Sequence, residues 1–312
     1  MGYSQQRAAG GERAKAVRRV LWWVLALNLL VAGGKLAYGW YIESVSITAD
    51  GFHSLFDSTS NIIGLLGISM ASRPADKDHP YGHAKFESFA SAAIGALLLF
   101  AAWRVGSQSV DRLMNPGEGP AVDSVTFVVM ITTLVINVAV TTLERRAGRR
   151  LGSEILLADA SHTASDVLVT IGVIGGLVAV YLGFPLADPL LGLVVAVFIV
   201  IAAVRVLGSA GATLSDSARV DPTEVCRVAC SVPGVLGCHD VRTRGTASEV
   251  YVDLHIQVDA SASVEDGHAL AERVEKLVCD SITSVVDVIA HLEPLDAYQQ
   301  GKTAEQAKHG LA

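Results

Sequence analysis

Charged and aromatic side chains are scarce in this 312-residue sequence, and each shortage excludes a class of protein. Charged residues make up 18% and hydrophobic ones 51%, too apolar a balance for a soluble domain of this length. Phe, Trp and Tyr together reach only 6%, so the apolar mass is aliphatic and interspersed with many of the 29 Gly. Small residues of that kind let helices approach closely inside a membrane. Cysteine is missing from the first two thirds, and Cys226, Cys230, Cys238 and Cys279 all lie beyond it. With that region cytoplasmic, they are expected as free thiols with no disulfide framework. No GxxxxGK[ST] phosphate loop occurs. The basic, then apolar, N-terminus carries no small-residue cleavage pattern and reads as a retained span. The formal charge of −7 is uneven, with basic residues in the first half and acidic ones near the end. That distribution points to membrane topology plus an acidic soluble domain, with no nucleic-acid partner.

The mean hydropathy of +0.44 is concentrated in six stretches, at about 20–42, 45–71, 86–109, 122–143, 155–181 and 190–207. Each is near the roughly 20 residues that a helix needs to cross the hydrocarbon core. The connectors alternate in charge. Arg7, Arg13, Lys15, Arg18 and Arg19 precede the first stretch; Arg73, Lys77 and Lys85 follow the second; Arg145, Arg146, Arg149 and Arg150 follow the fourth. The other connectors, 43–44, 115–123 and 183–188, hold no Lys or Arg, so the positive-inside rule puts both termini in the cytoplasm. Lys35 and Arg104, within stretches, are expected to snorkel to an interface, Arg104 with pairing to an acid as the alternative.

Beyond the last stretch the pattern changes. Asp221-Pro222-Thr223-Glu224 reads as a helix start, and 235–244 as a strand. Next, 249–258 alternates strictly, with Val250, Val252, Leu254, Ile256 and Val258 on one face. Ser263 to Asp266 resembles a capping box opening a helix to about Asp280, and 285–292 is a final strand. The expected fold is thus an α-helical membrane protein of six transmembrane helices with a C-terminal α+β cytoplasmic domain of order αββαβ. Its parts are a cytoplasmic N-terminal segment (1–16), a transmembrane domain (17–210), the αββαβ domain (211–295) and a disordered tail (296–312).

Two apolar stretches carry the same pattern, A-D-x-x-H-x-x-x-D: Asp50, His53 and Asp57 in one, Asp159, His162 and Asp166 in the other. Positions i, i+3 and i+7 share one helical face. An ionisable group in the bilayer costs at least ~2.5–3.5 kcal/mol, so six on two helices require a compensating role. Two His–Asp pairs on facing helices supply two nitrogens and two oxygens, which suits tetrahedral Zn²⁺. The bland alternative, polar contacts between helices, fits a lone His better than a repeated triad. Asp50 and Asp159 are possible accessory groups that line an access path or orient a histidine.

With these motifs, the six stretches and the αββαβ tail, residues 15–295 resemble the cation diffusion facilitator family, in particular its bacterial iron/zinc-type members. The resemblance implies a metallochaperone-like cytoplasmic domain and a homodimeric carrier in the bacterial inner membrane. It further implies efflux of a divalent metal by alternating access, with protons as counter-ion and His53, Asp57, His162 and Asp166 as the transport site. A His at position 53 leans toward Zn²⁺; Fe²⁺, Mn²⁺, Cd²⁺ and Co²⁺ stay open as cargo. Asp76, His79 and His83 match the family's loop site, which on residues alone reads either as a weak cation site or as a solvated loop. His239, His255, His268, His291 and Glu293 match its cytoplasmic metal cluster, where Zn²⁺ acts as a regulatory ligand; from spacing alone they read as surface histidines. Lys85 and Asp216 fit its charge interlock between protomers. Cys226 and Cys230 read as ordinary thiols, and Cys238, next to His239, as the better accessory ligand. A membrane-bound metal sensor is the rival of another class. An enzyme is disfavoured, because no nucleophile–base pair or cofactor loop occurs.

Overall fold

The computed structural model describes residues 2–41, 45–115, 124–182, 184 and 186–296. The chain divides into two compact units, one of residues 9–211 and one that includes 212 onward. The first unit is built from helices α1 (Gly2–Tyr41), α2 (Val45–Ala71), α3 (Phe86–Met114), α4 (Ser124–Leu151), α5 (Glu154–Tyr181) and α6 (Ala187–Leu214). Among the described residues, Gly11–Tyr38, Phe86–Met114 and Pro189–Leu214 are long and apolar enough to cross a membrane. Helices α2, α4 and α5 match them in length but carry the acidic and hydroxyl residues described below.

Leu21 and Val17 of α1, Ile68 of α2, Ala90 of α3 and Ile155 and Leu156 of α5 close one buried cluster. Leu98 and Ala102 of α3 pack with Val195, Ile199 and Ala203 of α6 in another. Gly67 lets α2 and α3 touch, because a Cβ there would collide with the Ala90 methyl. Trp23, Leu30, Trp103 and Phe198, by contrast, are more than half exposed, a surface suited to lipid. At one end, Arg13 crosses from α1. Its Nη2 donates to Glu87 Oε2 at 3.0 Å and to Gly152 O at 2.8 Å, and its Nε donates to Leu151 O at 2.7 Å. Ser153 also donates to Glu87, which is 4% exposed, so α1, α3 and the α4–α5 turn meet on one carboxylate.

The second unit runs α7 (Pro222–Ala229), β1 (Gly237–Gly245), β2 (Val250–Val258), α8 (Val264–Ser281) and β3 (Val285–Pro294). Asp221 caps α7 by accepting from Thr223 N, and Ser263 caps α8 by accepting from Asp266 N. β1 pairs antiparallel with β2, and β2 parallel with β3. Val250, Val252, Leu254 and Ile256 are at most 1% exposed, as their alternation predicts, and pack with Val225, Val274 and Val278 of the two helices. The expectation of four free thiols is corrected: Cys226 of α7 is disulfide-bonded to Cys238 of β1, with Cα atoms 5.3 Å apart. Helix α7 packs on β1 and turns Cys226 toward the strand, which leaves Cys230, one helical turn on, exposed and free. Burial raises the Cys279 thiol to about 11, with Asp287 the next contributor. The tail expected at 296–312 lies, after Asp296, outside the described residues.

Candidate metal centres

Three groups of ligand-bearing side chains converge among the described residues. The first lies in the helical unit. Asp57 of α2 and His162 and Asp166 of α5 each offer a ligand atom, all within 4.8 Å of one another. His162 and Asp166 are one turn apart on α5, so both face α2. They line a cavity of about 30 Å³ with Asn28, Ser54, Thr133, Asn137 and Thr163, room for one ion or water. His162 is 8% exposed, and neither of its ring nitrogens has a hydrogen-bond partner among the described residues. The side chains of His53 and Asp50, the remaining expected members of this region, lie outside the described residues. Asp159 is not in the group; it is fully buried and accepts from Asn61 Nδ2.

Two charged residues near the site differ from expectation or escaped it. Lys35 is corrected: it is 8% exposed and points inward, donating to Ser54 Oγ at 2.9 Å. Snorkelling was expected from its aromatic neighbours in sequence, but the rotation of α1 turns it toward α2. Glu144 of α4, one residue past the expected end of the fourth stretch, is fully buried and accepts from Thr163 Oγ1. In sequence it adjoins Arg145-Arg146, and no motif sets it apart from that basic run.

The second group is the loop between α2 and α3, where Asp76, His79 and His83 converge. Asp76 Oδ1 accepts from His79 N at 2.7 Å and lies 3.2 Å from His79 Nδ1; Asp76 Oδ2 is 3.4 Å from His83 Nε2. The His79 backbone N–H holds the Asp76 carboxyl below its ordinary range. His83 is 6% exposed and its Nδ1 meets Pro74 O at 3.1 Å, which leaves Nε2 turned toward Asp76. Gly82, at φ +84°, supplies the left-handed turn between Tyr81 and His83.

The third group is on the sheet face opposite the apolar core. Strand register puts His239, His255 and His291 side by side across β1, β2 and β3. Glu293 bridges two of them: its Oε2 lies 3.1 Å from His239 Nε2 and its Oε1 2.9 Å from His255 Nδ1. His239, His255 and Glu293 form the converging set. The His291 ring lies 4.7 Å from that of His255 but is exposed. The structure does not bring His268 to this set; on α8 it is exposed and faces Glu272 at 3.5 Å. Asp240, which no sequence motif marks, is 5% exposed and 3.6 Å from His255 Nε2. It sits in an irregular stretch of β1 at φ 49°, and only this irregularity turns its side chain to the histidine face. Lys85 caps α3 and Asp216 follows α6 in the other unit, so their interlock stays a proposal.

Comparison with known proteins gives these sites a setting. Residues 21–215 match the family description "Cation efflux transmembrane domain" and residues 219–295 "Cation efflux protein, cytoplasmic domain". An uncharacterized transporter of Methanocaldococcus jannaschii is 31% identical over 275 residues, covering 86% of this chain and 95% of that protein. Cation-efflux pump FieF of Serratia proteamaculans is 32% identical, covering 86% and 89%. Metal tolerance protein 2 of Oryza sativa is 30% identical, covering 93% and 81%. A solved MamM-CTD chain aligns with 24% of this chain at 28% identity and a TM-score of 0.23. The chain is therefore a membrane protein that belongs to the cation efflux, or cation diffusion facilitator, family.

Proposed function

We propose that the protein is a divalent-metal efflux carrier whose cargo, Zn²⁺ by preference, binds between α2 and α5 at His53, Asp57, His162 and Asp166. The observation that carries this reading is the convergence of Asp57, His162 and Asp166 within 4.8 Å around a cavity of one ion's size. The donors are imidazole nitrogen and carboxylate oxygen, which suit Zn²⁺ at bonds of ~2.0–2.2 Å. A set of four protein ligands leaves no open position for a reacting water, so the chemistry is binding and release, not catalysis.

Six spans, with both termini cytoplasmic in an inner membrane, agree with the length of α1 to α6 and the alternating charge of the connectors. Ligands must be deprotonated to hold the metal, so protons compete for the site, and a more acidic outer compartment favours release there. Antiport of Zn²⁺ against H⁺ follows from that competition. The loop group would receive the ion at the mouth. The His239, His255 and Glu293 set, with His291 beside it, would hold a regulatory metal; exposed His268 is left for a second protomer. A homodimer, with Lys85 and Asp216 paired between protomers, completes the reading. Such a metal biases transport only if it binds one conformation better than another.

The test is metal uptake by proteoliposomes under a pH gradient, with Zn²⁺, Fe²⁺, Mn²⁺ and Cd²⁺ in parallel. Asp57→Ala and Asp166→Ala should each abolish flux. Flux at the wild-type rate in either variant would remove the site assignment, and a flux of Fe²⁺ or Mn²⁺ above that of Zn²⁺ would reassign the cargo.

A further inference from the structure

The transport site accounts for three of the acidic and basic groups inside the helical unit, but not for Glu144 and Asp159. Both are 0% exposed. Asp159 Oδ2 accepts from Asn61 Nδ2, and Glu144 Oε2 accepts from Thr163 Oγ1 at 3.3 Å. Thr163 Oγ1 also lies 3.2 Å from Asp159 O, so one hydroxyl joins the two acidic residues. One oxygen of each, Glu144 Oε1 and Asp159 Oδ1, is buried and receives no donor among the described residues. No Lys or Arg pairs with either among the described residues. Two buried carboxyls side by side are relieved either by a shared proton or by a cation held between them, and the row of oxygens around this pair favours the cation.

The surrounding helix faces connect this pair to the cavity. Asn137, Thr141 and Glu144 lie at i, i+4 and i+7 on α4, and Asp159, His162 and Asp166 at i, i+3 and i+7 on α5. The two helices pack together with opposite chain direction across a short turn, so the stripes oppose each other end to end. Asn137 and Asp166 sit at the cavity, Glu144 and Asp159 at the α4–α5 turn end. Thr163 belongs to both places, because it lines the cavity and donates to Glu144. Thr141, between the two, is 8% exposed and its Oγ1 has no partner among the described residues. A row of oxygen donors thus runs from the pair to the transport ligands. Carboxylate oxygen is a Zn²⁺ ligand too, and an all-oxygen set holds the ion more weakly than the imidazole-bearing cavity, as a waypoint requires.

We propose that Glu144 and Asp159 form a second divalent-cation subsite, one helical turn from the transport ligands and on the side of the α4–α5 turn. It rests on the carrier reading and adds a waypoint to it. An ion entering from that end is held by the carboxylate pair before it reaches His162 and Asp166, and Thr163 changes partner as it passes.

The experiment uses the full chain in detergent and in proteoliposomes, with Zn²⁺ as the only probe. Equilibrium binding counts bound ions, and flux against Zn²⁺ concentration gives KM and kcat. Glu144→Gln should lower the count by one ion and raise KM about tenfold, the usual scale for losing a supporting ligand. Glu144→Asp should restore most of both. An unchanged count and KM in Glu144→Gln overturns the subsite. So does a change confined to the pH profile of flux, which would assign the pair a proton alone. A second measurement needs no variant: carbodiimide modification of Glu144 in the wild-type protein, read by mass spectrometry, should be suppressed by Zn²⁺. Labelling indifferent to Zn²⁺ also overturns it. If Asp57→Ala keeps full flux, the carrier site is wrong, but the count and the labelling still judge Glu144 separately.

Discussion

Lys35 Nζ donates to Ser54 Oγ at 2.9 Å, which fixes a buried ammonium one helical turn from Asp57. Ser54 lines the same cavity as Asp57, His162 and Asp166, so the Lys35 positive charge borders the place where a cation is expected. It offsets part of the carboxylate charge and opposes entry of the metal. Lys35→Met removes that charge at similar volume. The expected outcome is an apparent KM for Zn²⁺ lowered about tenfold, the effect of one to two kcal/mol of repulsion relieved at this range. Zn²⁺ uptake against concentration measures it, and an unchanged KM would show that the ammonium is neutralised at its anchor.

Arg13 and Glu87 form an ion pair with side chains 19% and 6% exposed. Removing one member leaves the other buried without its counter-charge, a loss of about 3 kcal/mol for such pairs. Glu87→Ala also strips Ser153 of its acceptor at the α4–α5 turn. Its thermal transition, followed by fluorescence-detected gel filtration, should fall by several degrees. The exposed pair Lys15–Glu12, at 2.7 Å, is the control, and Glu12→Ala should leave the transition unmoved.

Thiol labelling of the native protein should separate the four cysteines. Cys230 is exposed and reacts first; Cys279, half-buried with its thiol raised to about 11, reacts slowly. Cys226 and Cys238 should stay unlabelled until a reductant is added, and then appear together. The bond closes a short loop between α7 and β1, worth about 3 kcal/mol on a chain-entropy estimate. Mass spectrometry after alkylation with and without reductant reads all four. Labelling of Cys226 before reduction would restore the free-thiol expectation.

Acid should loosen α7 before the rest of the second unit. The Thr223 side chain, then its backbone N–H, holds the Asp221 carboxyl below its ordinary range. A carboxyl depressed in the folded state stabilises fully above its unfolded value, about pH 4, and the contribution disappears as pH falls through the lower folded value. Hydrogen-exchange protection at the start of α7, corrected for intrinsic rates, should therefore drop below about pH 4 in the wild type. In Asp221→Asn, which keeps an acceptor but cannot titrate, the drop should be absent.

Ser263 offers a cleaner reading of helix capping, because it does not titrate. It accepts from Asp266 N at 3.1 Å at the start of α8. Ser263→Ala should cost about 1 kcal/mol, measured as a shift in the denaturant midpoint of the second unit.

Much of this protein is determined by sequence alone, because its information is local and periodic. Strict alternation at 250–258 buries one face of β2, Asp221 and Ser263 mark helix starts, and the HxxxD spacing places His162 and Asp166 on one face of α5. The histidines of the sheet were legible as a set only through the family resemblance; strand register is what aligns His239, His255 and His291. What periodicity does not contain is the rotation of one element against another. That rotation turns Lys35 inward, sets Cys226 against Cys238 instead of beside Cys230, and leaves His268 on the outside of α8. It also brings Glu144 of α4 to Thr163 of α5, whose hydroxyl reaches the Asp159 backbone as well, a juxtaposition no motif marks. Contacts of that kind depend on which side chains close-pack across helices distant in sequence, and only the tertiary structure decides them.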